Sequence, residues 1–270
     1  MKNILLLNDF SPEAAHALAY GQLLAAHLQV NLLVWDIDEP KKATTAKVLV
    51  HVAAKNSTTH HPTSAATSKS VQHSPVPATN AKTLQLMETV NKTVHEIVLE
   101  QNVQLIIKGT KSIFSEVDEF ASRVLCTTYC PVLLVPKDAA FRPLKRMVYM
   151  ADLRYCRYQI SSYLRSMAHV FKSSYSIAHI SASGLPEPEE NYAISLFQNI
   201  AGRRNDGIKI TFNHIKERNV KKAADVLINT MHNDLIAMAY RRFHFKSLTD
   251  QQVQVAGTDA LPVPLLLFPS

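Results

Sequence analysis

Two aspartates, Asp9 and Asp152, stand at the ends of apolar runs that echo each other. The first run is Lys2-Asn-Ile-Leu-Leu-Leu-Asn-Asp-Phe10 and the second is Lys145-Arg-Met-Val-Tyr-Met-Ala-Asp-Leu153. A carboxylate between an apolar run and a helix start can cap or orient that helix. A second group able to do chemistry is basic: Arg241, Arg242, His244 and Lys246 follow the apolar run Leu235–Ala239. They form either an anion site beside a strand end or a solvated loop. The sequence lacks a Gly-x4-Gly-Lys-Ser/Thr loop, a Gly-x-Gly-x-x-Gly fingerprint and a Gly-x-Ser-x-Gly elbow. His51, His60, His61 and His73 lie in a low-complexity stretch without nearby acids or thiols, so no metal site is expected. Cys126, Cys130 and Cys156 have no paired spacing for zinc, and their odd number argues against a disulfide framework. No catalytic constellation emerges, and no enzyme activity is expected.

The elements that must position these residues come in a repeated order. Val103-Gln-Leu-Ile-Ile-Lys-Gly-Thr-Lys111 is echoed by Asn233-Asp-Leu-Ile-Ala-Met-Ala-Tyr-Arg241, and Cys130-Pro-Val-Leu-Leu-Val-Pro136 by Val263-Pro-Leu-Leu-Leu-Phe-Pro269. The three pairs are offset by 143, 130 and 133 residues in the same order, which points to a duplicated domain. Each half alternates apolar strand runs with helical stripes. In the second half, strands are expected at Met147–Met150, Tyr175–Ile180, Ile208–His214, Asp234–Ala239 and Pro264–Phe268. Helical stripes run through Ile160 to Phe171, Pro186 to Ile200, Val220 to Met231 and Ser247 to Val255. In the first half, Ser11-Pro12-Glu13 is a strong helix start. Val30–Trp35 and Leu105–Lys108 read as strands, with a helical stripe from Met87 to Val98 between them. Such alternation argues an α/β fold: two tandem open five-stranded parallel sheets with helices on both faces. The expected domains are residues 1–138 and 143–270. Residues 41–82 are rich in Ser, Thr, Ala and His and depart from the plan; Lys47–Ala53 within them could be a strand, and about 55–80 reads as a flexible insertion.

Composition narrows the function. The net charge of +7 is spread over pairs such as Arg203-Arg204 and Lys221-Lys222, without interleaved aromatics, so nucleic acid is not an expected partner. No segment approaches the ~18 apolar residues of a membrane span. Met1–Leu7 is too short for a signal peptide, and a cytosolic protein is expected.

The apolar strand ending in Asp9-Phe-Ser11, the Val103 to Gly109-Thr110 segment and the closing Cys130–Pro136 strand together resemble a universal stress protein domain. The second half resembles it mainly through element order and Asp152. The resemblance implies two Rossmann-like domains in one chain that pair through their closing strands, Leu133–Val135 meeting Leu265–Leu267, as an internal pseudo-dimer. It leaves open a homodimer of such chains and a protein or small-molecule partner. Many members of the family bind ATP through a Gly-x2-Gly-x9-Gly-Ser/Thr motif. If a nucleotide binds here, the resemblance places Asp9, Ile37, Gly109, Thr110 and Asp152 around it. The motif is degenerate, however: Ser112 replaces the second glycine, and Glu116, Asp118 and Glu119 fall where phosphate would be held. The chain has six glycines, where average usage would give about nineteen. The expectation is a stress-response binding protein without cofactor. The alternatives are an ATP-binding sensor with weak hydrolysis and a small-ligand or lipid carrier.

Overall fold

The structure is a computed structural model. It describes residues 2–37, 83–85, 93–111, 119–140, 142–201, 208–240, 244 and 263–269. The expected insertion, the Lys47–Ala53 strand, the helix at Ser247–Val255, and Arg241, Arg242 and Lys246 lie outside these residues.

Among the described residues, ten strands form one continuous sheet. In chain order they are β1 (Asn3–Asn8), β2 (Asn31–Asp36), β3 (Thr83–Gln85), β4 (Val103–Thr110), β5 (Val132–Pro136), β6 (Arg146–Ala151), β7 (Ser174–His179), β8 (Ile210–His214), β9 (Leu235–Ala239) and β10 (Leu265–Phe268). Across the sheet they run β3-β2-β1-β4-β5-β10-β9-β6-β7-β8. Each half thus has the same internal order, read outward in opposite directions. Neighbours within a half are parallel. At the seam β10 meets β5 antiparallel, with Leu265 opposite Leu134, Leu266 opposite Leu133 and Leu267 opposite Val132.

Helices cover the sheet: α1 (Pro12–Leu28), α2 (Val94–Glu100), α3 (Glu119–Thr127), α4 (Tyr158–Phe171), α5 (Glu190–Ala201) and α6 (Val220–Asp225). The start of α1 follows its sequence signals. The Ser11 hydroxyl accepts from the Ala14 amide, and Pro12 opens the first turn. Thr93 and Glu96 make a reciprocal capping box on α2. The expected start of α5 at Pro186 is displaced to Glu190, because Pro188 disfavours helical backbone at the residue before it. The Val220 stripe continues past α6 as one π turn, Val226–Thr230, closed by Met231 N–H donating to the Val226 carbonyl at 3.0 Å.

Alternate residues of each buried strand feed two cores, one per face, and both cores span the seam. One holds Leu5, Ile106, Leu134, Leu265 and Ile236; the other holds Ile4, Leu105, Leu133, Leu266 and Tyr149. The connections repeat as well. Gln29 and Lys172, just after α1 and α4, take left-handed φ of 54° and 52°. Asn102 and His232, before β4 and β9, have φ of 48° and 54°. The spacings within these pairs are 143 and 130 residues, the offsets of the sequence repeat. Turns usually given to glycine are therefore made by side-chain-bearing residues in both halves.

Because the cores are shared, a cavity in β10 should weaken both halves together. Leu266 is fully buried. Leu266→Ala is expected to cost about 3 kcal/mol. The single tryptophan, Trp35 in β2, lies four strands away. Its fluorescence midpoint in urea should shift as far as the circular dichroism midpoint; an unmoved Trp35 transition would show that the halves unfold separately.

Candidate functional site

The antiparallel seam puts the carboxyl ends of β1 and β4 at one end of the sheet and those of β6 and β9 at the other. The residues singled out in the sequence therefore fall into two crevices. Asp9, Ile37, Gly109 and Thr110 belong to the first, and Asp152 to the second.

In the first crevice, Asp9 follows β1. Its Oδ1 accepts from the Ser11 amide at 3.1 Å and from the Ser11 hydroxyl at 2.5 Å, and its Oδ2 lies 3.9 Å from Lys108 Nζ. Burial opposes its charge, but the Ser11 hydrogen bonds and Lys108 outweigh that and hold the carboxyl below its ordinary range. Asp9 thus braces the residue that caps α1, while its side chain remains 41% exposed. Phe10 beside it is largely exposed, with a left-handed φ of 58°. Ile37 is half-buried, and its amide donates to the Asn8 carbonyl at 2.8 Å. Thr110 is buried, and its carbonyl accepts from Lys137 N–H at 3.1 Å.

Gly109 faces the first turn of α1. A Cβ built there would lie 2.2 Å from the Glu13 carbonyl oxygen and 2.8 Å from the Ala14 nitrogen. The missing side chain lets a helix backbone press onto β4, the packing use of glycine in helix–strand units. The space a Cβ would fill is thus taken by protein. Residues 112–118, which include Ser112, Glu116 and Asp118, lie outside the described residues, as does the side chain of Glu119.

The second crevice is tighter. Asp152 is buried, and its oxygens are engaged. Oδ1 accepts from the Arg154 amide at 3.1 Å and from Arg154 Nε at 2.8 Å; Oδ2 accepts from Arg154 Nη2 at 2.5 Å and from the Ala182 amide at 2.9 Å. Burial again works against the charge, and the Arg154 fork and the two amides overcome it, so the carboxyl sits below its ordinary range. Arg154 also donates to the Pro186 carbonyl at 3.0 Å. Asp152 caps a short 3-10 turn, Leu153–Tyr155, that precedes α4. The cavity beside it, lined by Tyr149, Asp152, Tyr155 and His244 among others, measures about 20 Å³. That is room for about one water.

Two histidines end neighbouring strands here. His179 on β7 lies opposite His214 on β8, their rings 5.2 Å apart. His179 Nδ1 accepts from the Leu153 amide at 3.1 Å, which assigns the proton of a neutral ring to Nε2, 3.4 Å from Ser181 Oγ. An Nε2 that carries a proton cannot take one from Ser181, so this pair is not an activated nucleophile. His214 Nε2 contacts Glu187 Oε1 at 2.7 Å, and Arg218 lies 3.7 Å from Glu187 Oε2. From the basic 241–246 segment the structure describes His244. It is buried, and its Nε2 bonds to the Ile180 carbonyl at 2.7 Å. Arg154, His179 and Ser181 carried no motif in the sequence; Asp152-Leu-Arg154 is a local turn signal, while His179 meets Leu153 only through strand pairing. Among the described residues no cluster of His, Cys, Asp or Glu could hold a metal, and no helix is long and apolar enough to cross a membrane.

No family model matches the chain, and no curated protein matches it. Solved structures do. A universal stress protein from Archaeoglobus fulgidus DSM 4304 superposes with a TM-score of 0.59 at 13% identity, covering 98% of this chain and 97% of that one. A protein provisionally named a universal stress protein, from Pseudomonas aeruginosa UCBPP-PA14, gives 0.54 at 11% identity, covering 98% and 92%. A functionally unknown protein from Pseudomonas aeruginosa PAO1 gives the same figures. This chain has their fold. At such identities the likeness is one of architecture, an α/β Rossmann-like sheet.

Two outcomes follow from the geometry. Gly109→Ala should destabilise the chain by about 3 kcal/mol through overpacking against α1, measured by the urea midpoint. The second concerns acid. Burial, partly relieved by Asp152, lowers the pKa of His179. A histidine whose folded pKa lies below its unfolded value stabilises the fold fully above about pH 6.5 and loses that contribution as pH falls through that value. His179→Asn keeps an acceptor for Leu153 without titrating. Its melting temperature should fall less than the wild type's between pH 7 and 5.5; an equal fall would remove His179 as a source of the acid sensitivity.

Proposed function

We propose that the chain is a universal stress protein of tandem type, with domains 1–138 and 143–270 joined as a pseudo-dimer. It acts in the cytosol as a non-enzymatic, stress-responsive binding protein that does not bind ATP. The architecture and the full-length likeness to universal stress proteins support the family reading. The observation that carries the ligand reading is Asp152. The residue matched to the family's adenine contact has its carboxylate occupied by Arg154 and the Ala182 amide. A nucleotide would have to displace a charge-assisted fork, and the cavity of about 20 Å³ is far below the 300 Å³ or so of a small-ligand site. Gly109, the surviving glycine of the motif, is spent on α1.

A second reading is favoured by one observation in the first crevice. Asp9 is partly exposed and lies beside Lys108, which leaves a polar pair at the mouth. A nucleotide sensor working from that crevice alone would use them.

Calorimetric titration of the full chain with ATP and magnesium separates the two. No binding in the micromolar range is expected. Micromolar binding abolished by Asp9→Asn but kept by Arg154→Ala would overturn the first reading in favour of the second.

A further inference from the structure

A second cavity, of about 340 Å³, lies away from both crevices at the seam between the halves. Its volume falls within the range of small-ligand sites. Both halves build it. Tyr20 of α1 and the connection after β5, with Asp138 and Arg142, supply one wall; the approach to β9 and the residues before β10 supply the other. The pairing of β5 with β10 is therefore what creates it.

The second wall is fixed. Asp234 Oδ2 accepts from the Lys145 and Arg146 amides at 2.8 and 3.0 Å, which sets its carboxylate on the cavity wall near Tyr20. Asn233 is buried, and its Nδ2 donates to the Leu227 carbonyl at 2.7 Å. The first wall carries unspent charge of both signs. Among the described residues, neither the carboxylate of Asp138 nor the guanidinium of Arg142 has a hydrogen bond or ion pair, to each other or to any neighbour. Ile228, Val263 and Pro264 add an apolar surface between the charged groups. A ligand that satisfied this arrangement would carry an anion for Arg142, a cation for the aspartates and a small apolar body. A pure anion would meet two carboxylates, and a pure cation would meet Arg142.

We propose that the seam cavity binds a small zwitterion of amino-acid size, with Arg142 holding its carboxylate and Asp138 with Asp234 holding its ammonium. Such a ligand would bridge the two halves and so stabilise their pairing by mass action. The site needs only the strand pairing and is independent of whether either crevice takes a nucleotide.

The test is calorimetry of the full chain with each of the common L-amino acids in turn. Binding by at least one is expected. Arg142→Ala and Asp138→Asn, both at exposed positions, should each weaken it at least about tenfold. The N-acetyl and carboxamide forms of the same amino acid, each lacking one charge, should also bind at least about tenfold more weakly. Three results would overturn the proposal: no amino acid binding at millimolar concentration, binding unchanged in Arg142→Ala, or an acetylated form binding as well as the parent. An ATP titration of the same sample reads the crevices, and neither of its outcomes alters this one.

Discussion

The antiparallel meeting of β5 and β10 determines more of this molecule than any other contact. Without it, each half would end in a closing strand with a row of unpaired amides and carbonyls next to a greasy face, a strong tendency toward association. The register Leu265–Leu134, Leu266–Leu133 and Leu267–Val132 satisfies that edge inside one chain. It also merges two cores per half into two cores for the whole sheet. Reversing strand direction at the seam sends the two crevices to opposite ends. Asp9 and Asp152, equivalent in the repeat, therefore cannot act on one ligand.

The α/β alternation of strands and helices was legible from the residues. The offsets of 143 and 130 between sequence echoes return as the spacing of left-handed residues, Gln29 with Lys172 and Asn102 with His232. The helix start at Ser11-Pro12 was readable because capping is local. Other features were not. The strand Thr83–Gln85 is three residues of mixed character and gains its identity only by pairing with Leu32–Val34. The π turn after α6 leaves the apolar stripe unchanged, so periodicity could not reveal it.

What the candidate residues do depends on contacts that the sequence does not state. The antiparallel seam puts Asp9, Gly109 and Thr110 at one sheet end and Asp152 at the other. Whether a glycine receives a ligand or a helix depends on what approaches it, and that is a tertiary fact. At Gly109 the approaching group is the Glu13 carbonyl. Whether a carboxylate is free depends on its donors, and at Asp152 the chief donor is two residues away.

The two halves differ at positions that share the repeat's offset. Asp36 at the end of β2 and His179 at the end of β7 share the 143-residue offset, as do Asn8 and Ala151. In the first half, Asn8 Nδ2 donates to Asp36 Oδ1 at 2.7 Å, a polar pair bridging the two strand ends. Asn8 Oδ1 also accepts from the Phe10 amide at 3.1 Å; in the second half Ala151 cannot, and His179 Nδ1 accepts from the equivalent Leu153 amide at 3.1 Å. Both halves thus support the turn after β1 or β6 with a side chain at a strand end, and in the second half Arg154 of that turn also fills the Asp152 carboxylate. The difference at the two crevices lies in the carboxylate: Asp9 is partly exposed, whereas Asp152 is buried under the Arg154 fork. Exposed charge thus stays at the first crevice, at Asp9, and at the seam, at Asp138 and Arg142.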